Sequence, residues 1–134
     1  MSLIKKIWGT RLRLLKTKQT EIDLLYLEKD SACSIHSHKK KINRFVLIKG
    51  KVKIKSDLGT KQLNINEPFD VEPPVVHQFI IEEDSIMIEL AFVKNGNIDS
   101  NDIDRKIQGG KFIKGKFYTL EELMNKNWTM YEKN

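Results

Sequence analysis

The sequence is poor in cysteine, proline and glycine, with one Cys, three Pro and seven Gly among 134 residues. A single thiol, Cys33, excludes an intramolecular disulfide and a zinc site built from several thiolates, and it suits a reducing compartment. So little Gly and Pro excludes a collagenous or low-complexity chain. No apolar run approaches the ~20 residues that a membrane-spanning helix needs; Val75-Val76 and Ile86-Met87-Ile88 are typical of the runs present. The segment from Met1 to Trp8 carries lysines but neither an apolar stretch nor a small-residue cleavage site, so a cytoplasmic protein without a secretion signal or membrane contact is expected. Aromatic residues amount to 8% and show no RNA-binding pattern. The net charge of +6, from 24 Lys and Arg against 18 Asp and Glu, is spread along the chain without a recognition-helix pattern. It favours small anionic partners over nucleic acid.

What is present reads as one globular domain over residues 1–134, with 40% hydrophobic and 31% charged residues. From Arg11 to Phe92 the apolar residues come in short or alternating runs, the pattern of an all-β sandwich or barrel. Strands are expected at 12–17, 22–28, 33–38, 44–49, 51–56, 61–65, 69–72, 77–82 and 85–92. Turn residues between them include Lys49-Gly50, Pro73-Pro74 and Glu83-Asp84. The barrel core therefore lies at about 11–92. The extension 93–134 is polar and Gly-containing, and a connecting stretch with few regular hydrogen bonds is expected there. It ends in a short helix, where Thr119 and Glu122 form a capping box and Leu120, Leu123 and Met124, with Trp128, cover part of the barrel.

The three histidines carry the chemical signal. His36 and His38 stand two apart in an expected strand, so both project from one face. His77 follows Pro73-Pro74-Val75-Val76 at the start of another strand. Three imidazoles on one interior face would hold a first-row divalent ion and leave coordination positions open for water or substrate. Imidazoles alone do not select among Zn, Mn, Fe and Ni.

His36-Ser37-His38, followed by Asn43 and Gly50, resembles the first motif of the cupins, in which His-x-His precedes a Glu and then a Gly. Asn66, Glu72, Pro74 and His77 stand at the spacing of the second motif, with both of its glycines and its first proline replaced. Ser34 to Lys41, Trp8-Gly9 and Ile88 to Ala91 are similar to segments of small cupins that resemble the C-terminal part of type II mannose-6-phosphate isomerases. The resemblance implies a single jelly-roll cupin barrel with an N-terminal extension strand. It also implies a metal held by His36, His38 and His77, and a sugar-related substrate. Asn43 replaces the usual carboxylate. It is expected as a fourth, weak ligand or as a hydrogen-bonding neighbour of the ligands.

Further candidates surround this set. Lys41, at the end of Lys39-Lys40-Lys41, is a candidate contact for an anionic substrate, with solvated loop lysines as the alternative. Glu89 is the candidate acid–base group if it faces the barrel interior; the alternative is an outward carboxylate. Phe45 and Phe79 alternate in register with Asn43 and His77 and are expected to wall the pocket. Arg44 should point away from the site, and Cys33 should lie on the face opposite His36 as a small buried residue. The sequence thus suggests a metal-dependent isomerase- or epimerase-like enzyme acting on a sugar or sugar phosphate. Its alternatives are a three-His Fe(II) dioxygenase and a non-enzymatic ligand-binding or regulatory barrel. A homodimer is expected, because the edge strand at 12–17 needs covering.

Overall fold

A computed structural model describes residues 2–125. Its strands are β1 (Ser2–Lys6), β2 (Gly9–Lys16), β3 (Thr20–Leu27), β4 (Ser31–Ala32), β5 (Ile35–Ser37), β6 (Ile42–Ser56), β7 (Gly59–Gln62), β8 (Phe69–Val71), β9 (His77–Phe92), β10 (Asp104–Ile107), β11 (Gly110–Ile113) and β12 (Lys116–Thr119). Residues 120–125 are helical.

β9 is the spine of the fold. Its C-terminal half runs antiparallel between β3 and β6, and its N-terminal half meets β4, β5 and the far end of β6. Every ladder between named strands is antiparallel, and the sheet curls so that one face of β9 points inward throughout. Phe79, Ile81 and Met87 on that face are buried, opposite Ile54, Val52 and Leu47 of β6. With Leu25 and Phe45 these residues are almost wholly excluded from water. Burying each such side chain favours folding by about 1.5–3 kcal/mol. Trp8 meets Phe79 edge to face at 5.3 Å and joins this core.

The expected strand pairs 44–49 with 51–56 and 77–82 with 85–92 are in fact two continuous strands, β6 and β9. Lys49-Gly50 and Glu83-Asp84 make no hairpin turns; they occupy a register shift where the two long strands cross. Gly50 sits there at φ +100°, and a Cβ on it would strike Ser85 Oγ and the Asp84 carbonyl. The inward set of β6 changes there from Asn43, Phe45 and Leu47 to Val52 and Ile54, which keeps both halves in the core. The expected strand at 33–38 shortens to β5, with the separate strand β4 just before it, and that at 61–65 ends early as β7.

The extension is the larger correction. Beyond Phe92 the chain forms β10 against β5, and β11 between β4 and β12. β10 and β11 are completed by partners some 70 residues away in sequence, which local composition does not reveal. The capping box is present: Thr119 Oγ1 accepts the Glu122 amide at 3.2 Å, and Glu122 Oε1 accepts the Thr119 amide at 3.0 Å. Of the helix residues expected to cover the barrel, Leu123 is buried, whereas Leu120 and Met124 are exposed. Trp128 lies outside the described residues. The strand expected to be an edge, now β2, is covered by β1, which among the described residues pairs on one side only. No helix among the described residues is long and apolar enough to cross a membrane.

Candidate metal centre

His36 of β5 and His77 of β9 are directly opposite each other in an antiparallel ladder, with ring centroids 4.5 Å apart. His38, just past β5, completes the group at 5.1 Å from His36 and 5.7 Å from His77. One ring nitrogen from each of the three falls within 4.8 Å of the others, close enough to hold a metal ion.

The second nitrogen of each ring is tied to a main-chain carbonyl. His36 Nδ1 lies 2.9 Å from the Ser34 oxygen, His38 Nδ1 2.6 Å from the Asp102 oxygen, and His77 Nδ1 3.0 Å from the Val75 oxygen. A carbonyl only accepts, so each Nδ1 carries the proton and each Nε2 presents a lone pair. His38 Nε2 and His77 Nε2 are buried without a hydrogen-bond partner among the described residues. Burial lowers the pKa of all three rings, His36 to about 3, with His77 and His38 adding to the effect there. Buried, neutral imidazoles with orphaned Nε2 atoms match what a divalent ion requires of its ligands.

Asp102 is a site residue that local sequence patterning did not single out. Beyond its carbonyl bond to His38, its carboxylate accepts the amides of Lys39, Lys40 and Lys41 at 2.6, 3.0 and 3.0 Å. Those amides are therefore held by the chain's own carboxylate, while Lys39 and Lys40 extend into solvent. Lys41 lines the same pocket as His36 and His38.

That pocket, about 360 Å³, also takes in Asn43, Phe79 and Glu89. Glu89 faces inward, opposite Asp23 on one side and Phe45 on the other. The outward alternative weighed from sequence is thus excluded. Asn43 Nδ2 donates to Glu89 Oε2 at 3.0 Å, and Asn43 Oδ1 is buried without a partner among the described residues. Burial, reinforced by Asp23 and opposed by Lys41 and Arg11, pushes Glu89 up to about 7. Asp23 itself is engaged by Arg13, whose Nε lies 2.5 Å from Oδ1. Phe45 and Phe79 pack at 6.2 Å behind the histidines.

One sequence expectation changes and another holds. Cys33 does not point away from His36: it lines the pocket side of the barrel, because the irregular residues between β4 and β5 break the strand alternation. Its thiol accepts the Phe79 amide, and burial raises its pKa above the usual range. Arg44 points outward as expected, in a two-pronged pair with Asp70 at 2.7 and 2.8 Å, over the Phe92 ring.

Residues 70–134, just under half of the chain, match a protein family described as bacteriophage tail tip fiber protein. No curated protein sequence matches the chain significantly. Solved structures are similar in fold. KdgF from Halomonas sp. shares 13% identity over 71% of this chain and 88% of its own, with a TM-score of 0.63. Ectoine synthase from P. lautus shares 14% over 85% and 86%, with a TM-score of 0.63. The Streptomyces nucleoside dehydratase Pac13 shares 6% over 78% and 83%, with a TM-score of 0.65. At these identities the likeness is one of architecture, and the architecture is the all-β, cupin-like jelly roll.

Proposed function

We propose that this chain is a divalent-metal-binding cupin that catalyses proton transfer on a small anionic, sugar-like substrate, in the manner of an isomerase or epimerase. The observation that carries the reading is the pair of buried, unpartnered Nε2 atoms on His38 and His77 beside His36. In this reading the three histidines hold the ion, and Asn43 is a fourth, weak ligand or a neighbour. A divalent ion there supplies Lewis acidity, which makes a carbon acid next to a bound carbonyl or hydroxyl easier to deprotonate. Glu89 takes and returns that proton, since its pKa near 7 suits both directions at neutral pH. Asn43 steadies it through the 3.0 Å hydrogen bond. Lys41 and Phe79, which line the pocket, orient the substrate, with Phe45 buried behind Phe79 as its support. Similarity to a structure named as a nucleoside dehydratase supports proton chemistry on a sugar-bearing molecule.

The test is elemental analysis of protein purified without a metal-affinity tag, for the wild type and His77→Ala. Near-stoichiometric metal that is lost in the variant supports the reading. Manganese, zinc or nickel leads to deuterium-exchange assays with aldose and ketose phosphates. Iron with substrate-dependent oxygen uptake would instead favour the dioxygenase alternative. No metal in either protein, after reconstitution with each ion, overturns the metalloenzyme reading.

The match of residues 70–134 to a tail tip fiber family favours a second reading, a non-enzymatic barrel within a particle. It predicts ligand binding without turnover. A homodimer belongs to both readings. Leu3, Leu12, Leu24, Ile88 and Val46 lie in one row across five strands on the outer face, and β1 has an open edge among the described residues. A second copy would cover both.

A further inference from the structure

The pocket beside the histidines carries more positive charge than its acids can balance. Lys6, Arg11, Lys41 and Arg105 all line it, and among the described residues none of the four forms an ion pair. The acids there are already engaged. Asp23 and Glu21 are held by Arg13, at 2.5 and 3.4 Å. Glu89 is hydrogen-bonded to Asn43.

Three of these cations come from strands at the rim. Lys6 is on β1, and Arg11, in the neighbouring strand β2, has its Nε buried with no acceptor among the described residues. Arg105 stands directly opposite His36 in the β10–β5 ladder, so its Cβ shares the face of the first histidine. The three are close enough to repel one another: Lys6 is lowered by burial first, and then by Arg11 and Arg105. Like charges kept together with a buried donor unsatisfied cost stability, and an added anion relieves both costs. Arginine suits this task, because its planar donors match two oxygens of one oxyanion.

We propose that Lys6, Arg11 and Arg105 form a subsite for a doubly charged oxyanion, the phosphate of a monoester or the second carboxylate of a dicarboxylate, on the substrate of the histidine pocket. The inference rests on the reading of that pocket as a substrate site and names the class of molecule it takes. One charged end sits between β1, β2 and β10, and the reactive end reaches toward the histidines and Glu89. The unpaired charge favours a dianion over a single carboxylate, which would leave most of it uncompensated.

The experiment is calorimetric titration of the full chain with inorganic phosphate and, separately, malonate, with metal content measured on the same samples. The variants are Arg11→Gln, Arg105→Gln and Lys55→Gln, the last a charge control on the outer sheet surface. Arg105 is exposed, so its variant is informative even if Arg11→Gln folds poorly. Saturable binding that weakens at least tenfold in Arg11→Gln or Arg105→Gln, and is unchanged in Lys55→Gln, supports the subsite. Tighter phosphate then indicates a monoester, and tighter malonate a dicarboxylate. Equal binding in all four proteins, or no saturable binding of either anion, overturns it. Metal content separates the two readings: an Arg11→Gln protein that keeps metal but loses phosphate upholds the subsite, whereas a wild type that binds phosphate without ever holding metal fails only the metal reading.

Discussion

Asp102 holds the His38 segment twice, its carbonyl oxygen 2.6 Å from His38 Nδ1 and its carboxylate on the three amides that follow His38. Burial alone would raise the pKa of Asp102, but the amides of Lys39, Lys40 and Lys41, with His38, outweigh it and hold the carboxyl below its ordinary value. The loop that aims His38 is thus fixed by a residue more than sixty positions away.

Replacing Asp102 by Ala should release this loop. We expect a stability loss of about 1–3 kcal/mol from the lost charge-assisted bonds. Metal affinity should fall about 10- to 100-fold, as for other groups that orient a ligand. Competition with a chromogenic chelator reads the affinity, and unchanged affinity would show that the main-chain carbonyl of residue 102 aims His38 without the carboxylate.

Glu89→Gln separates chemistry from metal binding. The amide oxygen can still accept from Asn43, so metal content should match the wild type. Turnover on an identified substrate should fall about 10²- to 10⁴-fold, the usual share of general acid–base catalysis. A variant with full activity would remove Glu89 from the proton path.

The metal-free protein should show two opposed pH effects. Glu89 has a folded pKa near 7, above its ordinary 4.5, so its contribution is full below 4.5 and is lost as pH rises through 7. The histidines have folded values below their ordinary 6.5. Their contribution is full above 6.5 and is lost as pH falls, toward about 3 for His36. Over pH 4.5–6.5 the two slopes oppose, so the wild-type curve should be flattened there. In Glu89→Gln, urea midpoints should climb steadily with pH up to 6.5 and then level off. Parallel curves for the two proteins would contradict this account.

How much of this was legible in the sequence depended on where each residue finds its partner. His36, His38 and His77 announce themselves by type and spacing, and the 119–122 cap lies wholly within one short segment. Strand alternation placed Phe45, Phe79 and Asn43 on the inner face, because a side chain's face follows from counting residues along a strand. Gly50 misled: a glycine between two apolar runs reads as a turn, whereas here it is a bulge inside β6. Asp102, Arg105, β10 and the β4 side of β11 could not be found this way, since their roles depend on partners across the barrel. Arg11 was hidden for the same reason, as one Arg in a cationic strand looks like any other until its neighbours are known.

Gly50→Ala should be costly despite its small size. The residue sits at φ +100° with no room for a Cβ against Ser85 and Asp84. We expect destabilisation of about 2 kcal/mol or more, read as a lowered denaturation midpoint. Gly59→Ala, also at positive φ but with open space around it, should cost less.

The outer apolar row should hold two copies together. Light scattering of the wild type is expected to give twice the chain mass, and Leu24→Asp or Ile88→Asp should give the single-chain mass with the metal retained. A monomeric wild type at tens of micromolar would remove the second copy from the reading.

Because His77 and Glu89 lie at the two ends of one strand, β9 acts as a ruler for the site. One residue inserted between them would leave His77 facing His36 but turn Glu89 to the solvent side, whereas two would restore its direction and displace it along the barrel. Function in homologous chains should therefore tolerate length changes in the loops around 57–58 and 95–101 far better than within β9. The spacing from the Pro-Pro-x-x-His segment to the carboxylate, more than residue identity along the way, would then mark which chains share this chemistry.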